Sequence, residues 1–222
     1  MARPAHASPD TLRKVFNAWQ ISHVMAHARG YTVPDDPFVD WEAFQEHAGD
    51  DSPEKVFGTL EYTATSADST RSILFHFSPE LKIGNTVVTS LASRCEEEGL
   101  SLIVLIYFTS ISASAEAMIR DLRARKIIIQ PFSIDMMQFD PTESVLQPKF
   151  SVCSAEKKTR VLAEYGVKAD ALPGIKAVDP VVRWFGLGKG VLVEILRSCP
   201  TLSSGASASG VDGKEISYRI VV

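Results

Sequence analysis

Apolar residues near the start of the chain recur with the spacing of an amphipathic helix. The recurring positions are Leu12, Val15, Phe16 and Trp19. Ser8 precedes a proline that suits the first helical turn, and Gly30 suits a residue just past the helix end. The pattern therefore predicts one long helix between Ser8 and Gly30.

The middle of the chain alternates between strand and helix patterns. In chain order, the patterns predict a short helix starting at Asp40, strands at 60–64 and 73–77, a helix around 87–95, a strand at 102–108, a helix at 114–125 and a strand at 126–132. The run from Leu102 to Phe108 is continuously apolar, which is typical of a strand buried on both faces. This succession predicts an α/β domain.

Regular patterning stops at residues 135–150, where two prolines interrupt any element. We expect a domain boundary there, with an N-terminal domain at 1–143 and a C-terminal domain at 144–222. The second domain shows a helix at 154–165, a short helix opened by Asp179 and Pro180, a strand at 191–196 and a terminal strand at 218–222. Pairing of those last two strands makes it a small α+β domain.

The segment between the last two strands is rich in small residues. Serine, glycine and alanine fill residues 203–210, and they bury too little apolar area to offset the entropy of ordering the backbone. We therefore expect residues 202–216 to form a mobile, solvent-exposed excursion of the hairpin.

Composition and charge exclude several classes of protein. With 222 residues, 45% of them hydrophobic, the chain is not disordered, collagenous or a coiled coil. A formal charge of −4 argues against a free-standing nucleic-acid-binding module. The three cysteines are far apart, which fits neither a disulfide framework nor a CxxC zinc site. No apolar run is long enough for a bilayer, so we expect no membrane attachment.

Three partial catalytic motifs fall short of an active site. His23 and His27 have the spacing of a metal-binding helix, but Val24 stands where HExxH requires glutamate. The glycines at 186–190 precede a strand and not a helix, so they predict a helix end and a tight turn rather than a phosphate loop. The serines of 205–210 lack the strand and helix that flank a nucleophile elbow. No enzyme emerges.

The densest ordered pattern lies in the second domain. Its positions are Leu172, Pro173, Ile175, Asp179, Pro180, Val181, Trp184, Gly186, Gly190, Arg197, Tyr218 and Arg219. This pattern resembles the common fifth subunit of eukaryotic nuclear DNA-directed RNA polymerases, in the part that the family shares with a small component of the archaeal RNA polymerase. The Arg-Gly-Tyr turn at 29–31 and the helix at Asp40 extend the resemblance upstream.

The resemblance implies a non-catalytic, architectural subunit that acts in the nucleus and binds no cofactor. The C-terminal domain would dock on the largest subunit, and the N-terminal domain would form part of the lower jaw near downstream DNA. Partners would be other polymerase subunits and, weakly, DNA within the complex, with no membrane and no homo-oligomer. The assembly residues implied are Asp179, Pro180, Trp184, Gly186, Gly190, Arg197, Tyr218 and Arg219.

Two departures from the family pattern stand out. The loop at 112–117 lacks the proline and lysine that the family places toward DNA, and the stretch at 202–216 is longer than the family's turn. The residues that would lie nearest DNA are Ser112, Ser114, Arg120 and Arg123. These departures suit a diverged copy dedicated to one polymerase class, while the class itself stays open. The alternative function is a small nucleic-acid-binding or protein-interaction module outside the polymerase.

Overall fold

A computed structural model describes residues 9–100, 102–198 and 214–222 of the chain. The chain folds as two compact units, of which the first ends at Phe139 and the second begins at Asp140. The architecture confirms the predicted fold class, an α/β unit followed by a small α+β unit.

The first unit is built on a five-stranded mixed sheet. Its helices are α1 (Pro9–Ala28), α2 (Trp41–Ala48), α3 (Pro53–Thr59), α4 (Asn85–Glu97) and α5 (Ala113–Leu122). Its strands are β1 (Tyr31–Thr32), β2 (Glu61–Ser66), β3 (Ser72–Ser78), β4 (Lys82–Ile83), β5 (Leu102–Tyr107), β6 (Ser110–Ile111) and β7 (Ile129–Ser133). The sheet order is β1-β2-β3-β5-β7, while β4 and β6 pair separately. Strand β2 is antiparallel to both of its neighbours, and β3, β5 and β7 run parallel.

The predicted central strand lies in the interior of this sheet. Strand β5 pairs with β3 on one side and β7 on the other, and its residues Ile103 to Ile106 are fully buried. Helices α4 and α5 contribute apolar side chains to the same core as β5. This burial explains why the sequence of β5 is continuously apolar instead of alternating.

Local capping signals place several helix ends. Asp40 accepts a hydrogen bond from the backbone N–H of Ala43 at 2.9 Å and caps α2, so the helix starts where it was predicted to start. Gly30 follows α1 in a left-handed conformation, with φ +79°, which confirms the predicted stop. The apolar spacing does not predict helix α3, although Ser52 caps it and Pro53 occupies its first turn. The predicted cap of α1, Ser8, lies outside the described residues.

The predicted helix and strand at 114–132 are shifted and shortened. Helix α5 ends at Leu122, a single 3-10 turn follows at Arg123–Arg125, and Lys126 is left-handed with φ +64°. The backbone N–H of Ile127 then bonds back to the carbonyl of Leu122 at 3.1 Å. Residues 123–128, which the pattern assigned to the end of the helix and the start of the strand, therefore form the turn that ends α5.

The second unit is a four-stranded mixed sheet with two helices. The helices are α6 (Ala155–Tyr165) and α7 (Pro180–Trp184), and the strands are β8 (Lys149–Val152), β9 (Gly174–Ile175), β10 (Leu192–Ser198) and β11 (Lys214–Val221). The strand order is β8-β10-β11-β9. Strand β10 is antiparallel to β8 and β11, and β9 is parallel to β11.

The predicted pairing of the last two strands is confirmed, but the second strand starts earlier than expected. Leu192 pairs with Ile220, and the ladder continues to Ser198 and Lys214. Residues 214–216 therefore belong to β11 and not to the predicted excursion. The remainder of that excursion and the serine-rich tract lie outside the described residues.

Candidate functional site

The predicted assembly residues begin with a helix cap. The Asp179 Oδ1 atom accepts hydrogen bonds from the backbone N–H groups of Val181 at 2.9 Å and Val182 at 3.3 Å. Pro180 occupies the first turn of α7, where its missing N–H leaves no donor unsatisfied. These two residues therefore start the helix, and Pro180 itself is exposed.

Helix α7 places Trp184 in the interior of the second unit. Its side chain is 2% exposed, and it is the largest fully buried side chain described. On the same helix, Val182 packs with Val193 of β10 and Val221 of β11 in the core. Trp184 therefore supports the fold of the unit and is not presented at its surface.

Two glycines reverse the chain between α7 and β10. Gly186 has φ +64° and Gly190 has φ +82°, conformations that residues with a Cβ atom rarely adopt. The N–H of Leu187 bonds to the carbonyl of Val182, and the N–H of Gly190 bonds to the carbonyl of Val221. The glycines form the predicted helix end and tight turn.

Tyr218 belongs to a charged network between the sheet and α6. The Lys157 Nζ atom lies 2.6 Å from a carboxylate oxygen of Glu194, and the Tyr218 hydroxyl donates a hydrogen bond to the same carboxylate. Lys157 lowers the pKa of Glu194, while burial and the neighbouring carboxylate raise the pKa of Tyr218 to about 12. Tyr218 therefore stays a neutral donor that holds Glu194 in place.

The two arginines of the set differ from these core residues. Arg219 donates from a guanidinium nitrogen to the carbonyl of Gly174 at 3.4 Å, which links β11 to the short strand β9. Arg197 is exposed on β10. Most of the predicted assembly residues thus maintain the fold of the unit, and Pro180 and Arg197 are the most exposed of them.

The residues expected near DNA occupy opposite ends of α5. Ser112 caps the helix by accepting a hydrogen bond from the N–H of Ala115, and its hydroxyl lies 3.2 Å from that of Ser114. Arg120 and Arg123 lie at the other end. A ten-residue helix is about 15 Å long, so the four side chains do not form one cluster.

Basic residues concentrate at the C-terminal end of α5. Arg120 lies 4.0 Å from Glu116, and Arg125 lies 2.7 Å from Glu96, so both have an acidic neighbour. Among the described residues, no ion pair involves Arg123 or Lys126. Both side chains are exposed.

A charged cluster that sequence reasoning missed crosses the first unit. Glu61 of β2 lies opposite His76 of β3 and contacts its ring, and Arg94 of α4 holds the same carboxylate with two hydrogen bonds of 2.9 Å. Burial alone raises the pKa of Glu61, but the bonds to Arg94 and His76 outweigh burial and lower it. The cluster ties α4 to the sheet, and no local sequence signal joins its members.

The two histidines of α1 that have metal-binding spacing, His23 and His27, lie in different environments. His23 is buried, its Nδ1 atom lies 3.0 Å from the carbonyl oxygen of Trp19, and its ring stacks on Tyr62, while His27 is exposed. In residues 9–100, 102–198 and 214–222, no three histidine, cysteine, aspartate or glutamate side chains are grouped to hold a metal ion. No helix in those ranges is long and apolar enough to span a bilayer.

Comparison with known proteins gives matches over both units. The family model described as RNA polymerase Rpb5, C-terminal domain, matches residues 139–221. Subunit RPABC1 of DNA-directed RNA polymerases I, II and III from Caenorhabditis briggsae is 32% identical over 219 residues, covering 94% of this chain and 97% of the relative. The chain belongs to the RPABC1 family. The resemblance inferred from residues 172–219 is therefore confirmed.

Two further relatives match smaller shares of the chain. The Dictyostelium discoideum protein is 26% identical over 162 residues, covering 72% of this chain. The DNA-directed RNA polymerase subunit Rpo5 of the archaeon Sulfurisphaera tokodaii is 31% identical over 90 residues, 40% of this chain and 95% of its own length. An aligned length of this size is close to that of the second unit.

Proposed function

We propose that the protein is a non-catalytic, architectural subunit of a nuclear DNA-directed RNA polymerase. The second unit docks on the largest subunit, and the first unit forms part of the lower jaw near downstream DNA. The relatives' names, which include polymerases I, II and III, support a place of action in the nucleus.

The family-model match to residues 139–221 supports the assignment of assembly to the second unit. Nearly the whole of the archaeal subunit Rpo5 aligns with 90 residues of this chain. A protein of that length has room for one small domain. The second unit is therefore the part with which we expect the chain to bind the polymerase.

The local roles of the family pattern support an architectural function. Asp179 caps a helix, Trp184 fills a core, and Gly186 turns the chain. These residues act on the shape of the second unit, and chemistry at a substrate is not needed to account for them. Nucleotide addition is then left to other subunits of the complex.

We expect the second unit to retain the largest subunit in a pull-down. Residues 140–222 should capture a fragment of the largest subunit as well as the full chain does, because the proposed docking surface is complete in them. Residues 1–139 should capture none. Circular dichroism of each fragment establishes that it is folded, and capture by 1–139 alone would contradict the assignment.

We expect the isolated full chain to bind duplex DNA weakly and with a small salt dependence. The loop at 112–117 carries no cation, and Arg123 and Lys126 neutralise about two phosphates, so the logarithm of affinity should fall with a slope of about −2 against the logarithm of salt. Fluorescence anisotropy of a labelled duplex measures this slope.

A double variant tests which end of α5 is responsible for that binding. Changing Arg123 and Lys126 to glutamine should remove the salt dependence, whereas changing Arg71 and Lys82 to glutamine should leave it unchanged. A slope several times steeper, or one insensitive to Arg123 and Lys126, would show that another surface contacts DNA.

A further inference from the structure

Helix α1 contains the one buried histidine that the structure describes. His23 is 7% exposed, whereas His27 and His47 are exposed and His76 is partly buried. The ring of His23 lies parallel to that of Tyr62 in β2, with 4.4 Å between the centroids. Histidine changes its charge close to neutral pH, so a buried histidine ring is a candidate for a response to mild acid.

The hydrogen bond of the His23 ring fixes which nitrogen carries the proton. The Nδ1 atom lies 3.0 Å from the backbone carbonyl oxygen of Trp19. Because a carbonyl oxygen only accepts, Nδ1 is the donor, and the Nε2 atom of the neutral ring keeps its lone pair. Nε2 is buried and has no hydrogen-bond partner within the described part of the chain. A second proton would go to Nε2 and would create a buried N–H without an acceptor there.

The strands that lie against the His23 ring contribute neutral side chains. Tyr62 of β2 donates its hydroxyl to Ser22 at 3.0 Å, and burial raises the pKa of this tyrosine. Phe75 of β3 stacks on Tyr62 in turn. A protonated His23 would therefore find no balancing negative charge in this stack of rings.

The charged groups near His23 come from α1 and from the loop before α2. His27, one turn further along α1, disfavours a second positive charge, and Arg29 is a further cation of this region, close to Tyr62. Asp36 in the loop favours a protonated His23. Its carboxylate is already held by three donors, which come from Trp19, Gln20 and Phe38.

Burial is the largest influence on the pKa of His23 and lowers it from the ordinary value of 6.5. The unfolded chain therefore binds a proton at this position at a higher pH than the folded chain does. Between the two pKa values the unfolded form holds more protons, so acid favours unfolding. The stability that depends on this group is fully present above pH 6.5 and decreases as the pH falls below that value.

We propose that His23 is a pH-sensitive switch of the first unit: the neutral ring holds α1 against the sheet, and protonation of Nε2 favours the opened form. All five histidines of the chain lie within residues 1–76, and residues 140–222 contain none. Mild acid should therefore loosen the first unit and leave the second unit folded. This inference does not depend on the proposed function.

The first test observes the ring directly in the unaltered full chain. Nitrogen-15 NMR spectra of the imidazole rings, recorded from about pH 7.5 to about pH 5.5, report the proton content of each nitrogen. His23 should keep the neutral form with the proton on Nδ1 at pH values where a free histidine is mostly charged. A ring that gains its second proton at the ordinary pKa while the first unit stays folded would overturn the proposal.

The second test removes the titrating group. His23→Phe keeps an aromatic ring against Tyr62 but binds no proton. In urea titrations followed by amide NMR signals of each unit, acidification from about pH 7.0 to about pH 5.5 should raise the unfolding constant of the first unit about eightfold more in the unaltered chain than in this variant. That is the response of one group that is protonated in the unfolded chain alone. His27→Phe, at an exposed position of the same helix, is the matched control and should keep the response of the unaltered chain.

Each contrary outcome has a distinct meaning. Equal responses of the unaltered chain and His23→Phe overturn the switch. If acid stabilises the first unit of the unaltered chain relative to the variant, the protonated ring pairs with Asp36 and the proposal is wrong. An equal response of β10 and β11 contradicts the restriction to the first unit. If His23→Phe does not fold, the ring spectra of the unaltered chain decide.

Discussion

Replacing Trp184 by alanine is expected to lower the free energy of unfolding of the second unit by about 3–5 kcal/mol. The indole is 2% exposed, so the much smaller alanine side chain leaves a cavity in its place. A small sheet with two short helices has few other large buried side chains to compensate, so we expect much of its stability to be lost. Trp184→Phe, which keeps an aromatic ring, should cost clearly less.

Hydrogen exchange measured by mass spectrometry resolves where the loss occurs. Protection should fall in residues 140–222 of the Trp184→Ala protein and stay unchanged in β3 and β5 of the first unit. Trp41→Ala is the matched control, because Trp41 lies in the first unit and is only partly buried, with Arg13 over its ring. Unchanged protection in residues 140–222 would contradict the structural role assigned to Trp184.

Replacing Phe75 by alanine is expected to destabilise the first unit by a similar amount, about 3–5 kcal/mol. Phe75 is fully buried in β3, opposite Tyr62 of β2, and its ring stacks on Tyr62 at 4.8 Å between centroids. The alanine variant leaves a cavity beside that ring and removes the stacking contact. Chemical denaturation followed by circular dichroism measures the loss.

The control for this prediction is Phe139→Ala. The Phe139 side chain is exposed, so its removal should change stability by less than about 0.5 kcal/mol. Hydrogen exchange should show that β2, β3 and β5 of the Phe75→Ala protein lose protection. Strands β10 and β11 should keep theirs. If Phe75→Ala and Trp184→Ala both remove protection from the whole chain, the two units unfold as one and the division at Phe139 has no energetic meaning.

The residues that carry the family resemblance are mainly those that shape the second unit. Asp179, Trp184, Gly186 and Gly190 each have a role within the unit, in capping, packing or turning the chain.

Local sequence determined the regular elements and several of their ends. The long helix α1, the capped helix α2 and the buried strand β5 follow from the spacing and type of neighbouring residues, as does the turn at Gly186. Such features depend on the backbone conformations and short-range hydrogen bonds of a few consecutive residues. The family resemblance is visible in the sequence for the same reason, because its pattern is an ordered set of local caps and turns.

Tertiary structure decided the features that join residues far apart in the chain. Strand β8 begins at the end of a stretch that two prolines mark as irregular, and its partner β10 is distant in the sequence. Glu61, His76 and Arg94 become one cluster only after two strands and a helix pack together. The separation of Ser112 from Arg123 by the length of α5, and the exposure of Val145 and Leu146, also depend on packing. Burial and long-range pairing are properties of the folded chain, and no local pattern of residues determines them.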